Sequence, residues 1–267
     1  MRQQSIRLLA SVAMTAMLAA DLGGCQTMSD ITGSISPKSS ASAETDSRQA
    51  VEVTGERYRA DPKNAEAALA YGQALRASGQ RSQAAAVLEQ ATIAHPADKA
   101  LLAGYGRALA DNGNFQQAFE VLSRAHSPDN PDWRLLSVQG TTLDQLGRHD
   151  EARRYYESAL KIVPGEPSVL SNLGLSYMLS KNLPKAEEAL REAYASGRAD
   201  ARVRQNLALV IGLQGRFAEA EQIVRADLPA DEAAANVAYL KQMLNRKDDP
   251  RLGKAAKLPV ASLNRPE

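Results

Sequence analysis

Between about residue 65 and residue 230 the apolar side chains return at helical spacing, in short amphipathic runs parted by polar turns. No strand-like alternation persists, so the pattern predicts helices throughout. A longer rhythm lies over the short one. Glycine stands at Gly72, Gly106, Gly140 and Gly174, one fixed interval apart, with Ala208 at the next step. When Gly72 is counted as the eighth position of a unit, alanine recurs at position twenty (Ala84, Ala118, Ala152, Ala186, Ala220) and at position twenty-seven (Ala91, Ala125, Ala159, Ala193). Bulky residues fall between them, such as Tyr71, Leu75 and Leu88 in the first unit or Leu173, Tyr177 and Leu190 in the fourth. This predicts two helices per unit that cross where side chains are small, with the larger ones filling the seam.

The punctuation agrees. Gly79, Gly113, Gly147 and Gly215 stand where the first helix of a unit must end in a left-handed residue. The fourth unit has Lys181 there, followed by Asn182, a residue type that tolerates that conformation. Pro96, Pro131 and Pro164 stop the second helix, and Gly197 takes that role in the fourth unit. A unit of this length, made of two helices, resembles the tetratricopeptide repeat. The resemblance implies an all-α fold, a right-handed superhelical solenoid of about five repeats over residues 65–230. Ala50 and Pro62 fit a preceding frame, so residues 46–62 are expected to form an N-terminal capping helix. Residues 231–247, with Val237, Leu240 and Leu244 on one face, are expected to cap the other end, because each unit buries its apolar face only against neighbours. Residues 248–267 are polar, contain prolines and are expected to be a mobile tail.

Charge narrows the function. The net charge is +1, which argues against nucleic acid as a partner. The basic residues Arg246, Lys247, Arg251, Lys254 and Lys257 are interrupted by acidic ones and read as a solvated end. At the other terminus Arg2 and Arg7 precede an apolar run from Leu8 to Ala20, too short to span a bilayer and shaped like a secretory signal. Leu22-Gly23-Gly24-Cys25 follows, and Cys25 is the only cysteine in the chain. The four residues resemble the lipobox of bacterial lipoproteins. That resemblance implies a signal peptide over 1–24 and a diacylglycerol thioether on Cys25, an anchor holding the protein at the membrane facing the periplasm. Gln26, where an aspartate resembles an inner-membrane retention signal, points to the outer membrane. Residues 25–45 are rich in Ser, Thr and Ala and read as a flexible tether reaching roughly 25 Å.

No catalytic constellation is legible. His95, His126 and His149 fall near helix ends in different units, without metal-ligand spacing, and read as loop-exposed. There is no phosphate-binding glycine loop and no nucleophile elbow. The sequence therefore predicts no enzyme, no cofactor, no metal and no small-molecule substrate. It predicts a binding scaffold. In tetratricopeptide arrays the first helices line a concave groove with positions two, five, six, nine, twelve and thirteen facing in. Read at those positions, the first three units are polar, with Gln73, Arg76, Arg107, Asp111, Arg134, Thr141 and Asp144, and the last two are apolar, with Leu175, Met178, Leu179, Leu209 and Leu213. Such a groove suits an extended or helical peptide with an apolar anchor. Asn172 and Asn206 both take position six, where the resemblance implies hydrogen bonds to a ligand backbone; the alternative is two solvated groove-wall amides. Arg202 fits one place in a carboxylate clamp whose set is otherwise incomplete. The leucines and Met178 have their own alternative, packing beneath the C-terminal helix.

The lipobox, the five repeats and the segment Ala233-Ala234-Ala235-Asn236-Val237-Ala238-Tyr239-Leu240 together resemble the TadD family, the lipoproteins of the tight adherence (Tad/Flp) pilus assembly system. This implies a pilotin-like factor, with no catalytic role, whose partner is the outer-membrane secretin or another pilus assembly component. A type IV pilus pilotin and a periplasmic scaffold for polysaccharide export or envelope enzymes are the alternatives.

Overall fold

A computed structural model describes the backbone of residues 37–126 and 131–247, and side chains over 45–126 and 131–245. The signal segment, Cys25, most of the tether and the tail from 248 lie outside the described residues. The chain divides into a unit over Met1–Asp46, of which only the opening turns of α1 are described, and a unit over Ser47–Glu267 that holds the repeats.

Every regular element among the described residues is a helix. In chain order they are α1 (Pro37–Ala60), α2 (Ala65–Ala77), α3 (Arg81–Ala94), α4 (Lys99–Asp111), α5 (Phe115–Ala125), α6 (Trp133–Gln145), α7 (His149–Ile162), α8 (Pro167–Leu179), α9 (Leu183–Ala195), α10 (Ala201–Leu213), α11 (Phe217–Val224) and α12 (Ala230–Lys247). The five first helices, α2, α4, α6, α8 and α10, each begin one glycine interval after the last, and so do the five second helices that follow them.

The reason lies at the caps. The residue before each first helix is Asn64, Asp98, Asp132, Glu166 or Asp200, and in all five its side chain accepts a backbone N–H of the first turn. Such a cap contributes about 1 kcal/mol. At the other end Gly79, Gly113, Gly147 and Gly215 take φ near +80°, and the next residue donates its N–H back to the helix, as Gln80 does to the Leu75 carbonyl at 2.9 Å. In the fourth unit Lys181 itself takes the left-handed turn, at φ +64°. Asn182, which tolerates that conformation, instead has a negative φ of −91° and caps α9, accepting the Lys185 N–H at 3.3 Å.

Within each unit the eighth position is a socket. A Cβ on Gly72, Gly106, Gly140 or Gly174 would fall within 2.5 to 2.6 Å of the side chain at position twenty-four: Leu88, Leu122, Tyr156 and Leu190 in turn. The small residue thus admits a large partner from the second helix as well as the helix backbone. The fifth unit keeps the scheme with a smaller difference in size, with buried Ala208 at position eight and buried Val224 at twenty-four.

The two ends differ. Helix α1 packs Val51 and Tyr58 on the core of the first two units, and the Tyr58 ring stacks on Tyr71 with centroids 5.5 Å apart. It starts at Pro37, within the segment whose composition reads as tether. At the far end α11 is only 8 residues long. Pro229 arrives three positions earlier in its unit than Pro96 and Pro164 do in theirs, and α12 opens directly after it. Ala233 and Val237 are buried and Leu240 and Leu244 half-buried, the face expected of the cap. No helix among the described residues is long and apolar enough to cross a membrane.

Candidate functional site

Successive first helices lie side by side, and their contacts decide which concave side chains are available. Between the first and second units Leu69 occupies the space that a Gly104 side chain would fill, with its Cδ1 2.7 Å from the ideal Cβ position. About two turns further Arg76 donates to Asp111 at 2.6 Å. Both partners are partly exposed.

Between the third, fourth and fifth units the contacts are amide to hydroxyl. Asn172 Nδ2 donates to Ser137 Oγ at 3.1 Å, and Asn206 Nδ2 donates to Ser171 Oγ at 2.9 Å. Both serines are buried and both asparagines half-buried. The two asparagines do take the same face of successive first helices, and each braces its helix to the preceding one. Each amide keeps a second N–H and a carbonyl oxygen beyond that bond. The braces became visible only with the serines at position five, which sequence reading passed over.

Asp144 belongs to the interior. It is 8% exposed and accepts from Ser176 Oγ at 2.8 Å, from Tyr156 OH at 2.9 Å and from His149 Nδ1 at 2.8 Å. Burial is the main reason the Tyr156 hydroxyl is pushed well above its ordinary pKa, with the Asp144 charge next. The serine hydroxyl donates its hydrogen bond to the carboxylate and not to the imidazole, so this serine, histidine and aspartate are a structural tie between the third and fourth units and not a nucleophile arrangement. The histidines are accordingly not loop-exposed. His149 opens α7 on Asp144, His95 Nε2 meets the Lys63 carbonyl at 2.7 Å, and His126 has its Nδ1 buried.

The apolar stretch survives in part. Leu175 and Leu209 are half-buried at position nine of α8 and α10, Leu213 is half-buried, and Leu179 is 45% exposed. Met178 instead packs against the core shared by the last two units and α12. That helix also claims part of the groove wall: Leu240 Cδ2 stands 2.5 Å from where a Gly212 Cβ would be. Arg202 is exposed near the start of α10. Arg107 is half-buried on α4, and its pKa is lowered by burial first, with Asp132 opposing that shift and Arg76 reinforcing it. Among the described residues no group of His, Cys, Asp and Glu is arranged to hold a metal ion.

Helix pairs capped, crossed and stacked in this way define a tetratricopeptide-repeat solenoid, a fold whose members are in general scaffolds for protein contacts. The chain belongs to that family: tetratricopeptide-repeat models match residues 72–132, 137–201 and 201–226, together more than half of it. Among solved structures, PilW, described as a widely conserved type IV pilus biogenesis factor, is similar with TM-score 0.64 and 18% identity, over 76% of this chain and 100% of that one. A thermophilic repeat protein of Thermus thermophilus matches at TM-score 0.57 and 22% identity, over 67% of this chain and 100% of its own. The Cut9–Hcn1 assembly of the APC/C matches at TM-score 0.59 and 17% identity over 76% of this chain, which spans 42% of that chain's length. At these identities the likeness is one of fold. No curated protein matches the chain.

Proposed function

We propose that the solenoid is a protein-binding scaffold whose concave face holds a segment of a partner, and that Cys25 anchors it by lipid to the outer membrane, facing the periplasm. The partner in this reading is the secretin of a Tad/Flp pilus, which the scaffold shields and delivers in the manner of a pilotin. The observation that carries the binding function is the row of partly exposed leucines, Leu175, Leu179, Leu209 and Leu213, on two neighbouring first helices beside a charged stretch of groove. Apolar side chains left on a concave wall are where an apolar anchor is held. The Leu-Gly-Gly-Cys motif supports the anchor, and tethering raises the local concentration of the scaffold at the membrane without new contacts.

A second reading is favoured by the likeness to PilW: the same task in a type IV pilus system. Purified full-length protein, tested for capture of the Tad secretin and of a type IV secretin in parallel, separates the two. Leu209→Asp together with Leu213→Asp is expected to abolish capture with helicity unchanged by circular dichroism. Retention of capture by that variant overturns the groove. Cys25→Ser is expected to release the protein from membranes and reduce surface pili; normal piliation with a soluble variant overturns the anchor.

A further inference from the structure

The charged half of the groove contains an arginine whose surroundings do not balance it. Arg107 takes position nine of α4, about 100° round the helix from Gly106, and Gly106 faces Leu122 of α5. It therefore lies to the side of the α5 contact, on the face of α4 that also carries Gly104 and Asp111, which the position scheme assigns to the groove. The residue is half-buried. Within electrostatic reach are two carboxylates, Asp132 and Asp111, and two further arginines, Arg76 and Arg134. Both carboxylates are engaged. Asp111 Oδ2 receives Arg76 Nε at 2.6 Å, and Asp132 Oδ1 receives the backbone N–H of Arg134 at 2.8 Å to cap α6. Arg134 itself lies over the Trp133 ring, 4.4 Å from its centroid. Among the described residues Arg107 makes no ion pair within 4.0 Å.

Three consecutive first helices thus bring three guanidinium groups around two carboxylates, and the half-buried Arg107 has no anion of its own. A partly buried charge in that position is destabilising until a counter-charge arrives, and its fork of donors matches a carboxylate in geometry. We infer that Arg107, flanked by Arg76 and Arg134, is the subsite for an acidic side chain of the guest segment.

The inference rests on the groove reading above and adds to it the chemistry of the guest. Neighbouring helices pack about 8–10 Å apart, so Arg107 in the second unit and Leu175 in the fourth are separated by roughly 18 Å. An extended chain covers that in five or six residues at about 3.3 Å each. The guest therefore carries an acidic residue and an apolar one at that separation, the acid over the N-terminal units and the apolar group over α8 and α10. The half-buried cation without an ion pair discriminates acid from amide, and the leucines do not.

Two fluorescein-labelled synthetic peptides test this, each of serine and glutamine with one Glu and one Leu six residues apart, in opposite orders, alongside counterparts in which Gln replaces Glu. Titrated by anisotropy against the full-length protein in detergent, one Glu peptide is expected to bind at least tenfold more tightly than its Gln counterpart. Arg107→Gln is expected to erase that advantage and leave the affinity for the Gln peptide as it was, a pattern that a merely structural role for Arg107 does not produce. Equal binding of Glu and Gln peptides, or an advantage that persists in Arg107→Gln, overturns the subsite. If Leu209→Asp weakens both peptides while Glu and Gln bind alike, the groove stands and the acidic subsite falls. Absence of binding by every peptide overturns both.

Discussion

The first two units and the last two are built on one backbone plan and joined by different chemistry. In units one and two the first helices meet through Leu69 over Gly104 and the Arg76–Asp111 ion pair; in units four and five they meet through Ser171 and Asn206. Inside every unit, by contrast, the joint is the same, a small residue at position eight under a larger one at twenty-four. The period therefore constrains the joint within a unit and leaves the joint between units free to vary. Groove chemistry is written in the part that varies, which is why one half is charged and the other carries amides and leucines.

The comparison is broken most directly by filling a socket. Gly140→Val places a side chain against the Tyr156 ring, and overpacking of this kind is expected to cost about 3 kcal/mol, read from urea denaturation. A loss no larger than that of a surface substitution would show that the within-unit joint is not the common constraint. Next comes the tie between units three and four. Asp144→Ala strands the donors of Tyr156 and Ser176 in the interior, removes the partner of the half-buried His149 and is expected to cost about 2 kcal/mol, whereas Asp111→Ala in the exposed ion pair costs less than about 1 kcal/mol. Equal losses would erase the distinction between buried and exposed joints.

The amide braces are smaller. Asn172→Ala and Asn206→Ala are each expected to cost about 1 kcal/mol and to add in the double variant. If instead neither changes stability and guest capture is lost, the asparagines serve the ligand and not the stack. The smallest effect is one of pH. Arg216, then Arg191 and Gln214, hold the Glu187 carboxyl down at about 2 in the folded chain, against an ordinary 4.5. A carboxylate lowered on folding stabilises above its unfolded pKa and loses that contribution as pH falls from about 4.5 through about 2. Glu187→Gln should therefore flatten the acid limb of stability in that window, measured as the urea midpoint against pH. An unchanged limb would remove the network joining α9 to α11 from the features that set the C-terminal units apart.

Much of the fold was legible. The glycine period located every first helix, and the C-terminal cap was expected over 231–247 against an observed Ala230–Lys247. The capping series Asn64, Asp98, Asp132, Glu166 and Asp200 is legible too, as five side-chain acceptors at the same interval as the glycines, and marks the same register from the opposite end of each first helix. The site was less so. A position number places Asp144 beside Thr141 on a groove wall, but Asp144 turns inward because Tyr156 and Ser176 supply donors from two other helices. The same limit applied to Lys181: the fourth unit requires a left-handed residue after α8, and the side-chain acceptor of Asn182 serves α9 better as a cap.

The sequence by itself determined the repeat: its length, the small residues at each crossing, the turns that end each helix, and the contrast between a charged and an apolar half of the concave face. These are local, since each rests on the conformational limits of Gly and Pro or on spacing along one helix. Tertiary structure alone decided which of the polar residues are spent on the stack and which remain for a guest. Whether a donor at position six meets a hydroxyl at position five, or a carboxylate finds three donors from other helices, depends on the approach of helices distant in sequence. That is why Asp144, Asn172 and Asn206 acquired structural partners, while Arg107 was left half-buried with no ion pair among the described residues.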